Sequence, residues 1–559
     1  MGATIIIASA SHRRIARGRA WLEAHAPAEE LLIVAPTLDA ANELARTVVR
    51  TNGAAFGYHR VTLGQLAAAF ATPALAARHK VPLGRLGVTA VANRAIHKLA
   101  ERGELGLYER IAASPGFARA IAQVITELRL EQIASDALRA TAPNLNPLLQ
   151  AYEAELAERG FSDWPGVLYL AATAVADDRF ANQLLGLPTL LLDLPVTTAS
   201  ELALVRGLCS RAPEMLITAP TSDGITIARL RGELGIEIVD LDSRPARGVT
   251  PSGDKLGSLA RLQRHLFNES SHDPAPRLDD QVVIFSAPGE SRECVEIARR
   301  ILALARDGVA FDRMAVLLRS PEEYRSHLEE AFTRAGVPVH FARGAVRPDP
   351  AGRAFHALLC CAAENLSARR FAEYLSLGQV PDARPDGTPP EATPSSERWI
   401  APDQDLIPRA IAEALSEQTP PTPVAASSGA DQAPVIAGQL RAPRRWERLL
   451  VEAAVIGGRE RWRKRIDGFA EELRSRLAEI GGEDEAKAAV LRRTLGDMEA
   501  FAGYALPLIE SLDALPKSAN WGEWLDHLGA LATRALRQPQ RVLSVLSELA
   551  PGRWADHAQ

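Results

Sequence analysis

The sequence predicts an α/β chain built on parallel sheets, in two units that carry large helical insertions. Two observations carry that expectation. Short apolar runs alternate with amphipathic helical patterns over residues 4–71, again over 188–221, and a third time from Gln281 onward, which is the signature of βαβ units. From about Gly84 to Gly160 the pattern is helical throughout, as expected of a helical block inserted into a sheet domain.

Taken in order, "TIIIASA" reads as a buried strand. The helix that follows has Ile15, Ala16 and Leu22 on one side and Arg13, Arg14, Arg17 and Arg19 on the other. "ELLIVAPT" is a second strand, and "LDAANELARTVVRT" a helix with Leu38, Ala41, Leu44, Ala45 and Val48 on one face. "HRVTLGQLAAAFA" starts extended and becomes helical. In the helical block, "TAVANRAIHKLAERG" and "LNPLLQAYEAELAERG" stop on glycine, a common helix ending. "PTLLLDLPV" and "EMLITAPT" are strands flanking the helix "TASELALVRGLCSRA". Polar, loop-like text from Asp240 to Asp280 marks a boundary. Beyond it, "QVVIFSAP", "DRMAVLLRS" and "VPVHFARG" read as strands of a second sheet, separated by helices. Residues 379–440 have the Pro/Ser/Gly/Ala composition of a linker, and the text from Pro443 is helical. The expected divisions are 1–83, 84–165, 166–275, 280–378 (an incomplete second unit), 379–440 and 441–559.

Composition narrows the function classes. The 559 residues are 47% hydrophobic and 24% charged, ordinary for a folded globular chain. Four cysteines without CxxC spacing and twelve scattered histidines offer no metal-binding pattern. A reducing cytoplasm is the expected location, and no apolar run reaches the roughly 18 residues of a membrane span. Net charge is −5, from 64 basic and 69 acidic side chains, so any nucleic-acid contact must come from local arginine clusters.

The first strand–turn–helix has the architecture of a Walker phosphate loop. Such a loop needs glycines for close backbone approach and a lysine for the β/γ-phosphates. Ser9-Ala10-Ser11-His12-Arg13-Arg14 contains neither. The plainer reading of the stretch is an ordinary turn with a solvated basic face, and the sharper one a relic phosphate or DNA-phosphate site at a helix N-terminus.

Several stretches, read in order, resemble the AddB/RexB-type subunit of bacterial helicase–nuclease complexes, within the UvrD-like helicase superfamily and its PD-(D/E)XK nuclease relatives. "LLIVAPTLDAANELA" is similar to that family's second strand and its Pro-Thr turn, here Pro36-Thr37. "VTLGQLAAAFA" is similar to its Thr-x-x-x-Leu-Ala segment, led by Thr62. "FSAPGESRECVEIARRILALARDGVAFDRMAVLLRSPEEYRSHLEEAFTRAGVPVHF" is the most specific match and contains Arg319 and Tyr324. The resemblance implies two RecA-like (P-loop NTPase-type) domains and work on DNA double-strand breaks in the bacterial cytoplasm, at the nucleoid. It implies a heterodimer with an AddA-type helicase subunit, handling DNA ends and single strands away from membranes.

The same resemblance locates what is lost. A motor needs the loop lysine and a carboxylate pair at a strand end, to hold magnesium and orient water. Here Arg13 and Arg14 stand in the loop, and an arginine fork does not replace a lysine point charge. In "LLLDLPVTTASE", Asp193 is present but Leu194 stands at the second carboxylate position. The expectation is a degenerate nucleotide site formed by Ser9 to Arg14 with Asp193, without catalytic residues or a metal. Pro36, Thr37, Thr62, Arg319 and Tyr324 are the expected DNA-contacting residues; capping, strand termination and packing are their plainer roles. The family's Glu-x-Lys nuclease and iron–sulfur cysteines are not found, so the chain reads as an N-terminal portion or a nuclease-less lineage. No cofactor is expected in this chain, while ATP and Mg2+ act in the family's complexes.

"RRWERLL" and "ERWRKRI" interleave tryptophan with arginine, as single-strand binders do, and as amphipathic helices with snorkelling arginines also do. The function expected is a scaffold and DNA-guiding subunit with an inactivated helicase domain. The alternatives are an ATP-binding helicase subunit or nucleotide-dependent regulator, and a stand-alone interaction protein that does not bind DNA.

Overall fold

A computed structural model describes residues 2–549, apart from Pro27, Pro115 and the segments 244–256, 267–278, 342–348, 382–442 and 481–483. The linker expected at 379–440 lies almost wholly outside the described residues. A six-stranded sheet organises the first part of the chain. Its strands are β1 (Gly2–Ala8), β2 (Leu31–Ala35), β3 (Tyr58–Thr62), β6 (Thr189–Leu192), β7 (Glu214–Pro220) and β8 (Glu237–Asp240). They lie in the order β3-β2-β6-β7-β1-β8, and every pairing is parallel.

Parallel strands covered on both faces need unbroken apolar runs, which is what Ile5–Ile7, Leu31–Ala35 and Leu190–Leu192 supply. Alternation then sorts them between two cores. Ile6, Leu31 and Ile33 pack with Leu22 of α1 (Ser11–Glu23) and with Leu44 and Val48 of α2 (Leu38–Asn52). Ile5, Ile7, Leu32 and Val34 face the other way, onto Phe70 of α3 (Leu63–Ala77), Val167 of α8 (Trp164–Ala176) and Leu204 of α9 (Ala199–Arg211). The edge strand β8, reached through α10 (Gly224–Leu234) and followed by α11 (Ser258–His265), adds to the expected set. It is only four residues long and half-buried, so its pattern carries little signal.

The inserted block comprises α4 (Arg85–Glu101), α5 (Phe117–Leu130), α6 (Ser135–Thr141) and α7 (Asn146–Glu158) around a core of its own, with Ile96, Ile125 and Tyr152 inside. It is entered and left through a two-stranded parallel clasp of β4 (Val81–Pro82) and β5 (Phe161–Ser162). The block's two ends therefore sit side by side.

The second sheet expected over 280–378 is not formed among the described residues. Helices α12 (Glu290–Arg306) and α13 (Pro321–Ala335) are present and share a small core of Cys294, Ala298, Leu328 and Phe332. The three apolar runs beside them carry no strand assignment. A parallel strand needs backbone partners alongside. None is supplied here among the described residues, and Val283, Ile284 and Leu317 are 59%, 80% and 95% exposed.

Helices α14 (Pro350–Ala363) and α15 (Ala368–Ser376) join instead the helices Pro443–Glu452, Arg459–Ile480, Glu485–Asp513, Trp521–Ala535 and Gln540–Ser547 in one large core. Trp446 and Trp462 are fully buried there, and Trp462 Nε1 donates to the Leu366 carbonyl at 2.7 Å. The Trp/Arg clusters are therefore core tryptophans on arginine-coated helices. No described helix is long and apolar enough to cross a membrane.

Candidate functional site

Parallel strands bring their C-terminal ends to one edge, where β1, β6, β7 and β8 are neighbours in the sheet. The turn after β1 is Ser9-Ala10, and α1 begins at Ser11 with Ala10 as N-cap, without a side-chain cap. Its first turns are arginine-rich, and the helix must place one arginine inward. That residue is Arg14, only 5% exposed.

Arg14 lies against Asp193, the residue after β6. Nε donates to Oδ1 at 2.9 Å and Nη2 to Oδ2 at 2.9 Å, a two-pronged pair. Nη1 donates to the carbonyls of Ala8 and Ser9. All three guanidinium nitrogens are thus engaged. Asp193 itself sits at φ 46, a left-handed backbone unusual for a non-glycine residue. Thr218 on β7 fixes it: the Asp193 amide donates to Thr218 Oγ1 at 2.9 Å, and that hydroxyl donates to Asp193 Oδ1 at 2.8 Å.

A second carboxylate closes the turn. Asp242, just after β8, accepts the Ser9 amide at 2.7 Å and Arg13 Nη1 at 3.2 Å. Partial burial works to raise the Asp242 carboxyl. The Ser9 hydrogen bonds and the Arg13 and Arg264 charges outweigh it and hold the group below the usual carboxylate range. A carboxylate at a helix N-terminus also satisfies the free amides there. It stands where an anionic ligand would accept from the same turn.

Of the expected nucleotide-site residues, the structure brings Ser9, Ala10, Arg13, Arg14 and Asp193 together. Ser11 and His12 are exposed on the first turn of α1. The arrangement does not fit a magnesium–triphosphate group. Both Asp193 oxygens accept from a buried arginine, and the turn's amide carries a carboxylate. The loop has neither glycine nor lysine. Among the described residues no cluster of three or more His, Cys, Asp or Glu side chains is placed to hold a metal.

The other expected residues separate. Pro36 follows β2 and Thr37 caps α2, accepting the Ala40 amide at 3.2 Å. Thr62 ends β3 and caps α3 in a reciprocal box with Gln65. Arg319 is exposed, after an unpaired segment. Tyr324 on α13 donates to Glu293 Oε2 on α12 at 2.9 Å, a bond that with partial burial holds the pKa of its hydroxyl above the ordinary value. These geometries are caps and a helix–helix tie. Sequence reasoning missed Asp242 and Thr218. The acidic "VDLD" that closes the short β8 run is the only signal for the first, and nothing marks Thr218 beyond its place on a buried strand.

No protein-family model matches the chain. It is 25% identical over 296 residues to a protein of Heliobacterium modesticaldum named as the B subunit of an ATP-dependent helicase/deoxyribonuclease, covering 46% of this chain and 24% of that protein. The resemblance read from the sequence is borne out. The protein of the same name from Moorella thermoacetica is 27% identical over 299 residues, covering 47% of this chain and 25% of its own length. The matched stretch therefore spans about a quarter of the curated relatives.

Proposed function

We propose that this chain is a non-motor component of a helicase–nuclease complex that processes DNA double-strand breaks for recombinational repair. It acts as scaffold and DNA guide, with an AddA-type helicase subunit as partner and DNA ends and single strands as substrate. In this reading the six-stranded sheet is a RecA-like domain whose nucleotide site is internally closed. The α12–α13 pair with its unpaired apolar segments is a second, incomplete one.

One observation carries the reading: Arg14 and Asp193 neutralise each other while Asp242 occupies the Ser9 amide. A triphosphate entering there would have to break a part-buried ion pair and face an ionised carboxylate. Strand-end architecture is retained, and the chemistry that would burn a nucleotide is not. ATP and magnesium belong to the helicase partner on this reading. The likeness to two proteins named as the B component of an ATP-dependent helicase/deoxyribonuclease supports the placement in such a complex.

The test mixes this chain with a helicase subunit of that type and a forked DNA. The expected result is a ternary complex that weakens with rising salt, and ATP hydrolysis that vanishes when the partner's own Walker lysine is replaced. Hydrolysis surviving that replacement, or no salt-sensitive DNA binding with the partner present, would overturn the proposal.

A further inference from the structure

A polar cavity of about 310 Å³ opens where the helical block meets the sheet unit, lined among others by Arg78, Lys80, Arg129, Gln132, Ser162 and Tyr169. Junctions of this kind are where ligand sites concentrate, and the volume suits a single nucleotide unit.

Its wall is held rigidly. Arg129 on α5 donates through Nε to Asp163 Oδ2 at 2.8 Å and through Nη2 to Oδ1 at 3.2 Å, and it also pairs with Glu153. Asp163 is fully buried, accepts the Tyr152 hydroxyl at 3.3 Å, and caps α8 through the Gly166 amide at 3.0 Å. Those side chains satisfy one another.

The rim differs. The side chains of Arg78 and Lys80, on the turn that leaves α3, have no ion pair or hydrogen-bond partner among the described residues. Tyr169 on α8 is 60% exposed. Two residues in the same turns, His79 (φ 51) and Gln132 (φ 55), follow the C-caps of α3 and α5 in left-handed backbone. Glycine is usual at that helix position. Keeping a side chain there costs about 1 kcal/mol or more of backbone strain, and such strain gathers at functional sites.

We infer that this cavity binds one nucleotide unit of a single DNA strand, with the phosphate on Arg78 and Lys80 and the base stacked on Tyr169. Unpaired cations beside an exposed aromatic ring are the recurring composition of single-strand contacts. A phosphoserine or a free inorganic anion would use the cations and leave the ring idle. The inference rests on the DNA-guiding reading above and names where on this chain the strand is held.

The test is a fluorescence-anisotropy titration of the full chain with a labelled oligo-dT, at several salt concentrations, repeated with unlabelled dTMP as competitor. The variants are Arg78→Ala/Lys80→Ala, Tyr169→Ala and, as a control outside the cavity, Arg448→Ala. All are surface changes, so a melting curve superimposable on the parent's certifies the fold. The double variant should bind about tenfold more weakly, with a salt slope reduced by about 0.7, the effect of one lost phosphate contact on a single strand. Tyr169→Ala should weaken binding by about tenfold with the slope unchanged.

Cavity variants that bind oligo-dT like the parent, while the parent itself binds, would overturn this inference and leave the DNA-guiding reading standing. Equal losses in Arg448→Ala would also overturn it, as would dTMP competing as strongly as the strand. A parent chain that binds no strand, even with its helicase partner, would overturn the DNA-guiding reading itself.

Discussion

Two places around the sheet gather arginines beside carboxylates, and they treat the charges differently. At the strand ends, Arg14 meets Asp193 and Arg13 meets Asp242, and the Ser9 amide is taken as well. At the mouth of the helical block, Arg129 is held by Asp163 and Glu153, while Arg78 and Lys80 are left over. The location that looks like a phosphate site by architecture has its charged groups paired with one another. The one without a motif keeps cations that have no side-chain partner among the described residues.

The comparison is most severely tested at Arg14. Arg14→Ala leaves Asp193 facing the strand ends without its partner and should cost about 2–4 kcal/mol of stability, less than the full penalty for halving a buried pair because Asp193 is 24% exposed. Urea unfolding followed by the signal of the sheet unit reads this. A loss below about 1 kcal/mol, the range of an ordinary surface pair, would mean that the pair is not closing anything. Asp163→Ala asks the same of the second region. It removes the cap of α8 and two bonds to Arg129, and an expected loss of about 1.5–3 kcal/mol follows for charged hydrogen bonds.

Asp242→Asn sharpens the picture through pH. The folded carboxyl lies below its ordinary value near 3.9, so its contribution is fully present above that value and is lost as pH falls through the lower folded value. Parent and variant should differ by a constant amount above about pH 5, and the gap should close below about pH 4. The smallest effect is expected for Arg13→Ala. Arg13 is 42% exposed, and surface pairs contribute roughly 0–1 kcal/mol. Thermal melts of the two loop-arginine variants, side by side, should therefore show Arg14 far outweighing Arg13.

Much of the sheet unit was legible because burial on both faces writes itself as continuous apolar text, as in Ile5–Ile7 and Leu190–Leu192. The helical block was legible for the complementary reason, a sustained helical period with glycine stops. The second sheet read over 280–378 is not formed among the described residues. "QVVIFSAP" and "AVLLRS" have strand composition, but composition does not supply a neighbour, and side chains such as Ile284 and Leu317 lie open. At the site, the missing glycine and lysine could be read from Ser9 to Arg14 directly. That Arg14 turns inward while Arg13 and Arg17 stay out depends on the angle at which α1 leaves the sheet. Asp242 was invisible because it arrives from 229 residues or more away. The cavity at Tyr169 was equally unreadable, since its walls come from several separate elements.

Whether the strand-end turn refuses a nucleotide is tested most directly by calorimetric titration of the parent chain with a magnesium–ATP analogue, up to millimolar concentration. No saturable heat is predicted for the parent. A saturable, magnesium-dependent isotherm that disappears in Asp193→Ala or on replacing Ser9 to Arg14 would contradict a closed site.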